Sequence, residues 1–277
     1  MGFVLFAEMT MRRLLPLLLL IALPVSATEL RGRLEQGGLV LGQAAPGAAI
    51  SLDGRAVPAD AQGHFILGFG RDAAATAILT IDGTSQPLTI ARRSWTVQRI
   101  DGLPPAKVSP DPELQARIGA ENRLIAQARE QASPRALFLS GVTTPAQGIV
   151  SGVFGSQRIL NGEARAPHSG TDIAAIKGAP VAAIGDGIVT LAHPDMFFTG
   201  QTVMIDHGLG LQSVYAHLSR TDVSVGQNVH KGQLIGAVGA SGRATGPHLH
   251  WGASWLDVRL DPETVLAVLG PNPAGQQ

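Results

Sequence analysis

Short runs of apolar residues, broken at regular intervals by turn-forming pairs, fill the chain from about Glu29 to Gln98. Leu30–Leu34 and Leu39–Leu41 flank Gly37-Gly38, and Ala49–Leu52 runs into Asp53-Gly54. Phe65–Phe69, Ala77–Ile81 and Leu88–Ile90 follow, with Asp82-Gly83 between the last two. An Asp-Gly pair between apolar runs favours a two-residue hairpin turn, because both central residues must take positive φ. Strands spaced ~8–12 residues apart with such turns predict a small β-sandwich-like domain over residues 28–100. The pattern then changes. Gly102-Leu103-Pro104-Pro105 and Pro110-Asp111-Pro112 are rich in breakers and read as extended chain. Leu114, Ile118, Leu124, Ile125 and Ala128 recur at helical spacing among charged residues. This predicts one amphipathic helix over about residues 112–132, with Asp111 as N-cap and Pro112 at the first helical position. It stops before Ser133-Pro134, and residues 101–135 read as linker and helix that strut two β domains apart. From Ala136 the text is β throughout. Val181–Ile184, Gly187–Leu191, Gln201–Asp206, Gln212–His217 and Gln233–Val238 are short strands between glycines. The fold class is therefore mainly β.

Composition narrows this further. The chain has 277 residues, 34 glycines and 4% aromatics, which suits many tight turns and few large anchors. Its 21 basic and 21 acidic residues cancel, so no charge excess points to nucleic acid or to an anionic membrane. Met11-Arg12-Arg13, the apolar Leu14–Leu23 and the small residues Val25-Ser26-Ala27 read as a secretory signal peptide, residues 1–27, with Met11 as an alternative start. The apolar run is shorter than the ~20 residues that span a bilayer. No cysteine is present, which excludes both a lipid-modified N-terminus and a thiolate metal site.

The chemistry is concentrated in histidine. Seven of the eight histidines lie between His168 and His250. His248 and His250 flank Leu249, and on a strand residues i and i+2 share a face. Upstream stand His168-Ser169-Gly170-Thr171-Asp172 and Tyr215-Ala216-His217-Leu218. On a straight strand His168 and Asp172 would be ~13 Å apart. Sharing one ion therefore requires a bend, which Gly170 would allow, with His168 in a loop and Asp172 leading into the buried run Ile173–Ile176. Two His and one Asp with an open fourth position suit a catalytic zinc, which leaves His217 and His248 for proton transfer or oxyanion stabilisation. His193, His207 and His230 read as structural or exposed and His64 as solvent-facing, with Asp206-His207 as a candidate supporting pair.

The three histidine segments, in this order, resemble the motifs of the M23 family of zinc metallopeptidases, the lysostaphin/LytM-type cell-wall endopeptidases. Gly152–Gly155, Gly178–Val181 and Val225–Gln233 are similar to its supporting segments, and the likeness runs from about Gly148 to Pro262. Gly37–Gly42 resembles N-terminal modules attached to secreted members. The resemblance implies a C-terminal domain, residues 136–277, of antiparallel sheets with zinc on the floor of a narrow groove. It implies His168, Asp172 and His250 as zinc ligands and His217 and His248 as catalytic histidines; of these two, His248 is expected here to be the base and His217 the oxyanion partner. The expected function is a periplasmic or secreted zinc endopeptidase acting on peptidoglycan stem-peptide cross-links, at D-alanyl–diaminopimelate bonds. The alternatives are a catalytically silent wall-binding activator and a structural wall-binding module. Pro180–Ala183 and Val229–Gly232 also resemble the hairpins of biotinyl and lipoyl carriers, but Lys231 lacks the expected flanking residues. A carrier also has no use for five ordered His and Asp side chains.

Overall fold

The computed structural model describes residues 28–271; the predicted signal peptide, residues 1–27, lies outside them. No helix among the described residues is long and apolar enough to cross a membrane.

The first part of the chain forms two small antiparallel sheets. One contains β1 (Glu29–Gly32), β2 (Leu39–Gln43) and β5 (His64–Gly68). The other contains β3 (Ile50–Leu52), β4 (Arg55–Ala56), β6 (Thr76–Ile81) and β7 (Thr84–Thr89). The Asp-Gly pairs turn as expected: Asp53 and Gly54 take φ of 49° and 79°, Asp82 and Gly83 of 48° and 79°. Leu39, Phe65, Leu67, Leu79 and Leu88 fill the core between the sheets. That core is continuous with the second half, because Gly68 on β5 lies against Trp255 and Leu260, where a Cβ would stand only 2.9 Å from each.

β8 (Val97–Ile100) was not foreseen. It pairs in parallel with β10 (Gln157–Leu160), which pairs in turn with β11 (Glu163–Ala164). The helical linker comprises α1 (Pro105–Val108) and α2 (Pro112–Glu130), followed by a 3₁₀ turn at Leu137–Ser140. The Asp111 carboxylate caps α2 by accepting from Leu114 N at 2.9 Å. The buried stripe of α2 differs from the apolar pattern. Ala128 is buried as expected, but Leu124 is exposed and Glu121 is buried in its place. Glu121 faces inward because its carboxylate accepts from Phe197 N at 2.8 Å and from Arg117 Nε at 2.7 Å, which ties the helix to a β-hairpin below.

The second half is one large antiparallel sheet. Its path runs β17 (Asn228–Val229), β14 (Gly187–Met196), β15 (Gly200–Gly208), β16 (Leu211–Thr221), β19 (His248–Trp255), β12 (Gly170–Ala174), β9 (Ile149–Gly152). β13 (Pro180–Ala182) pairs with β18 (Leu234–Val238), which joins β16, and β20 (Val258–Leu260) pairs with β19. Several strands outrun the lengths expected. β14 passes through His193-Pro194-Asp195 because a register shift against β15 accommodates the proline. β12 begins earlier than expected and ends at Ala174, leaving Ile176 81% exposed instead of buried in a strand. A closing helix, α3 (Pro262–Leu269), also departs from an all-β reading; the Asp261 side chain caps it through Glu263 N at 3.0 Å.

Candidate active site and metal centre

The site is assembled on the face shared by β12, β16 and β19. Residues directly opposite in an antiparallel pair project to the same side. Asp172 is opposite His250, and Ala174 is opposite His248, so the register alone puts Asp172, His248 and His250 on one face. His168 lies just before β12, in a loop whose backbone is pinned by His168 N to Ser156 O and Gly155 N to His168 O, both 2.9 Å. The chain thus bends before the strand begins. Gly170 does not supply the bend; it allows a close approach, since a Cβ there would lie 2.3 Å from Trp251 O and 2.9 Å from the His250 ring. Gly152 on β9 does the same for Asp172, where a Cβ would stand 2.7 Å from Oδ2.

His168 Nε2, Asp172 Oδ1 and His250 Nδ1 converge. Asp172 Oδ1 is 2.9 Å from His168 Nε2 and 2.8 Å from His250 Nδ1, and the two ring nitrogens are 3.0 Å apart. His168 Nδ1 faces Val153 O at 3.0 Å and must donate to it, so its Nε2 offers a lone pair. Lone pairs from two imidazoles and a carboxylate aimed at one point fit a bound zinc, and among the described residues these three form a His/Asp set spaced to hold an ion. Burial pushes Asp172 up, but the adjacent His168 and His250 rings outweigh it and hold the carboxyl well below the usual range. Burial likewise pushes His250 down to about 4, which favours its neutral, ligating form. Arg158 on β10 approaches the other carboxylate oxygen, Oδ2, at 3.3 Å and so orients Asp172 from outside.

His217 reaches this face by a distortion. Ala216 is opposite His250, so in a regular strand the next residue would point to the buried side with Tyr215. Instead β16 bulges against β15 between Tyr215 and Leu218, and His217 takes a left-handed φ of 61°. Its amide donates to Thr199 O and its Nδ1 to Ser241 O, both at 2.8 Å. His248 Nδ1 makes the same kind of bond to Gly246 O at 2.9 Å. Both rings therefore present Nε2 to the cavity, with centroids 4.7 Å apart, and His248 Nε2 is 3.8 Å from Asp172 Oδ1. Burial, then the neighbouring His250 and His248, push His217 down to about 3.

The remaining histidines stand apart. His207 is fully buried and spans Asp186 O at 2.8 Å and Ser213 Oγ at 2.7 Å, so it braces the sheet and does not support a ligand. His230 is exposed, and His193 only accepts from Asp195 N. His64 is half-buried and paired with Asp60 at 2.9 Å, where the sequence suggested a solvent-facing ring. Arg158, Ser241 and Arg243 border the site without having been singled out. No spacing marks them, since each belongs to a segment that only the fold brings to the histidines. Ser241 is the clearest case: besides holding His217, its Oγ donates to Leu218 O and accepts from Gln201 N, linking β15 and β16.

Comparison with known proteins agrees with this geometry. Residues 166–262 match the model of Peptidase family M23. The peptidoglycan DD-endopeptidase ShyA of Vibrio cholerae is 48% identical over 88 residues, 31% of this chain and 20% of that protein. The DD-carboxypeptidase/endopeptidase Mpg of Neisseria meningitidis is 43% identical over 98 residues, 35% of this chain and 22% of its own. This chain thus spans only about a fifth of the length of these curated relatives. A crystal structure of a Pseudomonas aeruginosa protein assigned to peptidase M23 superposes over 85% of this chain and 96% of its own, with a TM-score of 0.67 and 28% identity. Motif, site geometry and fold agree, and residues 166–262 of the chain form a domain of Peptidase family M23.

Proposed function

We propose that this chain is a zinc-dependent endopeptidase that hydrolyses peptide cross-links of peptidoglycan outside the cytoplasm, in the periplasm or after secretion, at D-alanyl–diaminopimelate bonds. The observation that carries the reading is the convergence of His168, Asp172 and His250 beside two histidines whose Nε2 atoms face the same cavity. The comparisons support it through relatives named for endopeptidase action on peptidoglycan.

In this reading His168, Asp172 and His250 hold zinc. Zinc, when bound, supplies Lewis-acid polarisation of the scissile carbonyl and water acidified to a pKa of ~7. The chain's own groups do the rest. The carbonyl partners of His217 and His248 fix both tautomers, so each Nε2 accepts a proton when neutral and donates once protonated. His217, held neutral by burial, enters the cycle as an acceptor; it can serve an oxyanion only after taking up a proton. In this reading His217 shares the proton-accepting role expected of His248. The floor of the site lies on three paired strands, a rigid base that holds the reacting groups in register.

The test is incubation of the zinc-loaded protein with cross-linked sacculi, followed by mass analysis of released muropeptides. Cross-linked dimers should fall and uncross-linked stem peptides should rise, with the new end at D-alanine. Release equal to that of a zinc-stripped sample would refute hydrolysis and leave the wall-binding activator in its place.

A further inference from the structure

Beside the paired histidines lies a cavity of about 240 Å³. His217, His248 and Asp172 form one side of it, and Arg158 and Arg243 are also in its lining. Asp172 is the one acid among the lining residues and its Oδ1 belongs to the metal-binding triad, so the cavity is cationic before any ion is added. Arg243 is firmly placed: its amide donates to Phe198 O at 2.8 Å and its guanidinium stacks on the Phe198 ring at 4.3 Å. The Phe198 ring holds the guanidinium carbon in place, and a guanidinium presents its N–H donors as a planar fork matched to a carboxylate. Arg158 is set by Gln98 Oε1 at 3.4 Å and by Asp172. Burial, and then the like charges of Arg158 and Arg165, pull Arg243 down to about 10, a penalty that an anion in the cavity would relieve.

The proposed substrate carries such an anion. In a D-alanyl–diaminopimelate cross-link, the carbon that bears the scissile nitrogen also bears a carboxylate. A substrate whose scissile carbonyl lies at the His217–His248 pair would place that group a few bonds away, within the same cavity. We propose that Arg243, with Arg158 beside it, is a specificity subsite for a free carboxylate on the carbon attached to the scissile nitrogen. The proposal rests on the endopeptidase reading above and goes beyond it by naming what the chain reads on the leaving side of the bond. A peptide whose carboxylate is capped as an amide loses the charge-assisted pair and places a neutral group in a cationic site.

Two synthetic cross-linked peptides that differ only in a carboxylate or carboxamide at this carbon provide the test. Hydrolysis is followed with zinc-loaded wild type, Arg243→Gln and Arg243→Lys. Binding of both peptides is followed by calorimetry on zinc-loaded His248→Ala, which should not cleave them. Wild type should prefer the free acid by about 10- to 100-fold in kcat/KM, the range for losing a hydrogen bond to a charged group. The ratio should fall towards one in Arg243→Gln and be partly kept in Arg243→Lys. If wild type cuts both peptides equally, the subsite is refuted and the endopeptidase reading stands. If the acid binds preferentially but neither peptide is cut, the endopeptidase reading fails and the subsite stands. Equal binding refutes the subsite whatever the turnover.

Discussion

Acid should loosen the sheet that carries His217 through a histidine outside the catalytic site. His207 is fully buried between Asp186 O and Ser213 Oγ, and Ser213 Oγ is 3.0 Å from the Tyr215 hydroxyl, two residues from His217. Burial pushes His207 from 6.5 down to about 4. Between these values the unfolded chain binds a proton that the folded chain refuses, so stability rises with pH across the window and falls as pH drops through it. The stabilisation is fully present above the unfolded value. From about pH 7.5 to about pH 5 the loss assigned to this one ring is about 2 kcal/mol, at ~1.4 kcal/mol per pH unit over the part of the window crossed. His250 and His217 are depressed as well and act in the same direction, so wild type alone cannot isolate His207. His207→Gln can, because it keeps polar atoms near both partners but cannot titrate. Urea unfolding of metal-free wild type and variant at the two pH values should show the variant less stable at neutral pH, by roughly 1–3 kcal/mol for disturbed buried hydrogen bonds. Its loss on acidification should be smaller than wild type's by about 2 kcal/mol. An equal loss in both proteins would refute the assignment and place the acid sensitivity elsewhere.

The site makes other predictions. His250→Ala removes a ligand, so its loss of zinc affinity, read by competition with a chelating dye, should exceed the ~10–100-fold typical of a supporting group. His217→Ala and His248→Ala should keep zinc by elemental analysis, yet lose ~10²–10⁴ in muropeptide release. Gly152→Ala should weaken zinc binding while the fold survives, because the added Cβ meets the Asp172 carboxylate at 2.7 Å and no closer backbone atom; unchanged affinity would show that Asp172 can move freely. His217→Gly should be more stable than His217→Ala to thermal unfolding by roughly 1 kcal/mol, since only glycine takes a left-handed φ without a steric cost.

Much of the fold was legible because local chemistry dictated it. Asp53-Gly54 and Asp82-Gly83 can scarcely be anything but hairpin turns, and Asp111-Pro112 marks a helix start in two ways at once. Asp261-Pro262-Glu263 carries the same start signal for α3, although the segments around it are patterned as strands. β8 was not legible in this way. Its burial alternates only weakly, and its partner β10 is about sixty residues further along the chain, so the pairing is a tertiary outcome that no local pattern encodes. In the site, the i, i+2 spacing of His248 and His250 did predict a shared face, and pairing with β12 puts Asp172 opposite. Arg158, Ser241 and Arg243 carried no such signal.

His217 shows why spacing alone could not complete the site. Strand alternation assigns it to the buried side of β16, with Tyr215 and opposite Leu249, where an imidazole would meet the apolar core. The bulge moves it to the other face at the cost of a conformation that a non-glycine residue adopts only with ~1–3 kcal/mol of strain. Two contacts hold it there, Thr199 O on its amide and Ser241 O on its Nδ1, and the Ser241 hydroxyl links β15 to β16 beside it. The strain therefore sits at the site histidine that regular pairing would misplace, while the proposed zinc ligands Asp172 and His250 and their neighbour His248 occupy positions that the regular β12–β19 pairing supplies. In the proposed reading, zinc binding and proton transfer thus depend on different parts of the fold. The first needs the β12–β19 register; the second also needs the β15–β16 bulge and the loop that carries Ser241. A change that relaxes the bulge should disable the chemistry before it empties the metal centre.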